Sequence, residues 1–216
     1  MITSQPDSRL RAAVSVAPFS PFDRIERGTV IGGESRALSG GGRMILTISS
    51  RSQVQSHIAA IGEATSKVII AISSAGSPFE ALRKMKFEQI GFHPIEGHAL
   101  NLIEQINQTF TYLVALKATD WLLDRHPDAG GFLLAPGANA ALPLDIMSVE
   151  PGVVGAETFA AVRPDNNRKL VSDLRKLEGA RARYRYAFFY APGFPVGRIE
   201  RLERLTTGVE VHCVGL

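Results

Sequence analysis

The chain has 216 residues, 45% of them hydrophobic and 21% charged, with a net charge of +3. That balance belongs to a folded globular protein and excludes a disordered or fibrous one. Its single cysteine, Cys213, cannot close an intrachain disulfide, no apolar run approaches the roughly 20 residues that span a bilayer, and the first residues show no signal-peptide pattern, so the expected compartment is the cytoplasm, with no membrane partner.

Residues 1–43 are rich in Gly, Ser and Arg, include the run GGESRALSGGG, and are expected to form a loosely packed arm. Residues 45–49 have the character of a strand, and 51–64 that of a helix with Val54, Ile58 and Ile61 on one face. The run KVIIAIS, 67–73, suggests a buried strand. Pro78 suits the first turn of a short helix over 79–88. The segment GFHPIEGH, 91–98, is expected to be a loop dividing a small α/β segment (44–97) from the main body (98–216). The smaller segment should extend the main sheet or pack beside it.

From Leu100 the pattern is cleaner. Apolar residues recur at helical spacing from Leu102 to Trp121, and His126-Pro127 and Gly130-Gly131 end that helix. Strands are expected over 132–135, 142–149 and 153–162, with PGANAA and Glu150-Pro151-Gly152 as turns. A helix follows from Pro164 to about Leu177, with Leu170, Val171, Leu174 and Leu177 as its buried stripe. The aromatic run YRYAFFY, 184–190, is expected to be a core strand. A short helix over 198–205 and a strand over 209–214 complete the chain. The order is α-β-β-β-α-β-α-β, an α/β fold with a mixed central sheet flanked by helices.

Charge is unevenly spread. Between Arg163 and Arg204 stand eleven basic and five acidic residues, which suits a polyanionic partner as well as it suits solvated helix faces. Two acids sit inside apolar strand sequence, Asp145 in LPLDIMSV and Glu157 in VVGAETFAAV. A carboxylate there is costly to bury without a partner. On strands joined by a turn, the two can meet at one point and hold a divalent metal through oxygen, or serve in a structural salt bridge.

The element order, with Asp145 on the second strand and Glu157 on the third, resembles the restriction-endonuclease-like fold of the PD-(D/E)XK nuclease superfamily, over about residues 101–216. The resemblance implies a Mg²⁺-dependent nuclease hydrolysing the phosphodiester bonds of DNA. It assigns Asp145 and Glu157 as metal ligands, a main-chain carbonyl of residue 158 as a further one, and Glu104 on the first helix as a supporting acid. This sequence departs from the pattern in two ways. Leu144, not proline, precedes Asp145, with Pro143 one step earlier, and Phe159 stands where the family carries its catalytic lysine. The missing cation would then come from Lys169, with Arg168 and Arg163 as alternatives. Asn166, Asn167, Arg168 and Lys169 at a helix start would suit a phosphate, and Arg163 would join them against DNA. The competing expectation, carried by Phe159, is an inactive nuclease-fold protein that binds nucleic acid or another protein, or that serves as an assembly subunit. A homodimer is compatible with either.

Other chemistry is thin. The five histidines, His57, His93, His98, His126 and His212, show no His-x-x-x-His spacing, and no Cys-x-x-Cys occurs, which argues against zinc. Neither the glycine run 40–42 nor PGANA carries a phosphate-loop or dinucleotide signature, and SSAGS lacks the frame of a serine nucleophile.

Overall fold

Met44 opens the described part of the chain, a computed structural model covering residues 44–137, 141–164 and 168–216. The arm expected over 1–43, Asn166, Asn167 and part of the PGANAA turn lie outside it. The described residues belong to one compact unit. Strand β1 (Leu46–Ile48) leads into helix α1 (Arg51–Ser73) through a reciprocal cap. The Ser50 hydroxyl accepts from the Gln53 amide, and the Gln53 side chain accepts from the Ser50 amide at 3.1 Å.

The expected strand over 67–73 is instead the last two turns of α1. Val54, Ile61 and Val68 are buried at intervals of seven, so one face packs without interruption while Ile69 and Ile70 point outward. No breaker separates Ala64 from Lys67. Thr65 and Ser66 turn their hydroxyls back onto the carbonyls of Ile61 and Gly62, at 2.8 and 3.0 Å, and so satisfy themselves within the helix. Helix α2 (Pro78–Phe87), capped by Ser77, buries no residue and leaves Phe79, Leu82 and Phe87 exposed.

The segment expected as a loop carries a small hairpin, β2 (Gly91–Phe92) with β3 (Ala99–Leu100). Helix α3 (Leu102–Arg125) follows, with Asn101 as its cap. Then come β4 (Phe132–Leu134), β5 (Ile146–Ser148), β6 (Val154–Ala160), α4 (Lys169–Glu178), β7 (Tyr184–Tyr190), β8 (Gly197–Arg198), α5 (Glu200–Glu203) and β9 (Glu210–Cys213). The fold is α/β, with the seven strands of the main sheet in the order β1-β4-β5-β6-β7-β9-β8. Pairing is antiparallel from β1 to β6 and parallel from β6 through β7 to β9. Strand β1 extends the sheet beyond β4. The 198–205 segment opens on a strand rather than a helix, because Arg198 pairs with His212.

Two apolar cores lie on the two faces of this sheet. One gathers Ile48, Val54, Leu116, Phe132, Ile146, Ala156 and Phe188 beneath α1 and α3. The other gathers Leu144, Phe159, Leu170, Leu174, Leu177 and Phe189 beneath α4. Strand β7 is covered on both sides, so Phe188 and Phe189 are both buried although they face opposite ways. Among the described residues no helix is long and apolar enough to cross a membrane.

The entry to β4 depends on Gly131, whose φ of +101° would set a Cβ 2.8 Å from the Ile48 carbonyl oxygen. Gly131→Ala is therefore expected to cost about 1–3 kcal/mol. Gly62, on the open side of α1 with nothing near its missing side chain, should instead gain roughly 0.5–1 kcal/mol as alanine. Urea unfolding of the two variants tests both signs.

Candidate functional site

The antiparallel ladder between β5 and β6 is only two residue pairs long, Ile146 with Ala156 and Met147 with Gly155. Beyond each end a side chain takes over. The Ser148 hydroxyl accepts from the Val154 amide at 2.9 Å. At the other end Asp145 Oδ2 accepts from the Thr158 amide at 2.8 Å and from the Thr158 hydroxyl at 3.0 Å. The Asp145 amide in turn donates to Glu157 Oε1 at 3.3 Å. The two strand acids thus meet where β5 leaves β6, and both are buried.

Helix α4 completes the cluster. Its Leu170, Leu174 and Leu177 fill the core below, while the adjoining stripe of Lys169, Asp173 and Lys176, at intervals of four and three, faces the acids. Lys176 Nζ donates to Glu157 Oε1 at 2.7 Å and Lys169 Nζ to Asp173 Oδ1 at 2.5 Å. Both lysines are about half exposed, whereas Asp173 is buried and its Oδ2 has no hydrogen-bond partner.

Burial pushes all three carboxyl groups up. For Asp145 the bonds from Thr158 and the charges of Lys169 and Lys176 oppose the shift. For Asp173 the bond from Lys169 does. Glu157 rises from an ordinary 4.5 to about 7, first through burial and then through the Asp145 charge, against the pull of Lys176. A pocket of about 350 Å³ adjoins the cluster, bounded by Pro143, Leu144, Met147, Lys176 and Arg181.

The residues singled out in the sequence separate into groups. Asp145, Glu157 and Lys169 come together, since the charge of Lys169 acts on Asp145. Glu104 does not join them. It is exposed in the first turn of α3, the helix layer on the far face of the sheet, and the charges acting on Asp145 and Glu157 come from Lys169, Lys176 and their neighbouring acids. Arg163 and Arg168 line a different, largely apolar pocket of about 460 Å³ with Phe194, Leu202 and Leu205. Arg168 enters α4 with a left-handed φ of 55°, and Asn167 lies outside the described residues. Phe159 is buried in the α4 core, its ring stacked 5.7 Å from that of Phe189.

Three members of the cluster went unread in the sequence: Lys176, Asp173 and the Thr158 side chain. The first two had a legible signal, the charged stripe at helical spacing beside the leucines. Thr158 had none, because its role depends on where β5 departs. Among the described residues, the only group of three or more potential metal ligands close enough to share an ion is His93, Glu96 and His98, with donor atoms within 4.8 Å of one another; Asp145, Glu157 and Asp173 form no such group. Comparison of the chain with protein-family models, curated proteins and solved structures found no match.

Because folding raises the Glu157 pKa, the folded state holds a proton that the unfolded chain releases. The associated stability is present below about pH 4.5 and is lost as pH climbs to about 7. Glu157→Gln keeps an oxygen acceptor without the charge. It should flatten this decline and, at pH 8, exceed the parent protein by up to about 3 kcal/mol. Denaturant unfolding of both proteins at a series of pH values measures it; a stability difference between variant and parent that fails to grow from pH 4.5 to about pH 7 contradicts the assignment.

Proposed function

We propose that the protein is a metal-dependent nuclease-like hydrolase acting on the phosphodiester bonds of DNA, with Asp145 and Glu157 holding Mg²⁺. The observation that carries this reading is the convergence of the two strand acids, joined through the Asp145 amide and Glu157 Oε1 at 3.3 Å. The donor set fits the ion. Mg²⁺ is held by one or two carboxylates with waters rather than by a full protein cage, and the unpartnered Asp173 oxygen nearby offers an acceptor for such a water. When bound, the ion supplies Lewis-acid activation of phosphate and water.

The chain's own groups have separable tasks. Thr158 fixes the Asp145 carboxylate through two hydrogen bonds. Lys176, half exposed and 2.7 Å from Glu157, is the cation that the third strand lacks at Phe159. It approaches from α4 and can steady charge on a phosphate oxygen. Lys169 supports it through Asp173. The adjoining, mainly apolar pocket gives room for part of a nucleotide, with Lys176 and Arg181 on its lining as cations for a phosphate.

A second reading has its own observation. Lys169 with Asp173 and Lys176 with Glu157 already form ion pairs, a closed arrangement that a non-catalytic nucleic-acid-binding or assembly protein would also keep. Plasmid cleavage separates the two. The nuclease reading expects nicking with Mg²⁺ or Mn²⁺, its abolition by Asp145→Asn, and a loss of about 10²- to 10³-fold in Lys176→Ala, by analogy with removing one charge-stabilising donor. Plasmid left intact with both metals, together with DNA affinity that falls steeply with salt, would favour the binding protein instead.

A further inference from the structure

The hairpin of β2 and β3 holds a second cluster, unrelated to the acid pair. Its six-residue connection, His93-Pro94-Ile95-Glu96-Gly97-His98, closes on itself. The His93 amide donates to the His98 carbonyl at 2.7 Å, and the Gly97 amide to the His93 carbonyl at 2.9 Å. This closure brings the two imidazoles together, nearly parallel (18°) with centroids 4.8 Å apart. Glu96 Oε2 lies 3.0 Å from His98 Nδ1. Donor atoms of all three side chains fall within 4.8 Å of one another.

Those separations approach what one ion requires. With metal bonds of about 2.0–2.1 Å, neighbouring ligand atoms of a tetrahedral site stand roughly 3.3 Å apart. The Glu96–His98 spacing is there already, and a modest contraction draws in His93. The base of the site is firm. His93 is buried, the Tyr112 ring meets it edge-on at 5.4 Å, and the Phe92 amide ties the hairpin to Gln105 of α3 at 3.0 Å. His93 Nδ1 accepts from the amides of Ile95 and Glu96, at 3.4 and 3.1 Å.

We propose that His93, Glu96 and His98 form a binding site for one transition-metal ion of the zinc type, with one nitrogen from each histidine, one Glu96 oxygen and a fourth position open to water. Two imidazoles and a carboxylate select Zn²⁺ and its borderline neighbours over Mg²⁺, which prefers oxygen alone. The site is therefore chemically distinct from the acid pair. Its spacing, His-x-x-Glu-x-His, matches no helical zinc motif, because a turn and not a helix brings the ligands together.

The test uses the untagged full chain stripped with a chelator. Calorimetric titration should find one Zn²⁺ bound per chain in the presence of excess Mg²⁺, and Co²⁺ should give the intense visible absorption of a four-coordinate site. Glu96 and His98 are exposed, so Glu96→Gln and His98→Ala keep the fold, and each should weaken Zn²⁺ binding at least about tenfold. Asp145→Asn should leave it unchanged. No Zn²⁺ uptake, or uptake with equal affinity in the Glu96→Gln and His98→Ala variants, overturns the proposal. Loss of binding in Asp145→Asn alone would overturn it too and assign the metal to the acid pair.

Discussion

At the point where β5 parts from β6, a side chain replaces the backbone as hydrogen-bond partner, and the rest of the candidate site follows from that substitution. Buried amides must be satisfied. The Thr158 amide points toward a strand that has already turned away, and the Asp145 carboxylate is what reaches it. Asp145 is consequently an architectural residue whatever chemistry it performs. Where the ladder ends, the Asp145 amide donates to Glu157 Oε1, so the two acids are brought together by main-chain geometry and not by mutual attraction, which between like charges would be repulsion.

Holding them there requires compensation. Three buried carboxyl groups face two lysines, and a buried charge without a partner is expensive. The arrangement has a formal excess of negative charge that a proton can offset, and burial first, then the Asp145 charge, raise the Glu157 pKa to about 7. A carboxyl group poised in this way changes its charge near neutral pH, where an ordinary glutamate would stay ionised. Both lysines keep part of their length in water while their ammonium groups reach buried acids.

Much of this was legible in the sequence, and the limits have physical causes. The α/β class, the long helix α3 and the approximate positions of β4, β5, β6, β7 and β9 follow from apolar periodicity and turn residues, whereas β8 falls where a helix was expected. The error at 67–73 arose because Val, Ile and Ile in succession resemble a strand, whereas packing at every seventh residue decided for a helix. The hairpin at 91–100 was invisible because two-residue strands have no period to detect. Asp145 and Glu157 stood out as acids in apolar strands. Lys176 did not, because a lysine on a helix is ordinarily a solvated charge and only the tertiary arrangement aims it at Glu157. Phe159, anomalous beside a nuclease pattern, is an ordinary core residue once α4 and Phe189 are seen around it.

The main sheet ends on β1, three residues long, and on β8, two residues long. Such brief margins present few unpaired peptide groups to a neighbouring molecule, so growth by strand addition has little to grip. Large apolar side chains turned outward on helices, among them Ile69 and Ile70 of α1 and Phe79, Leu82 and Phe87 of α2, lie away from those margins.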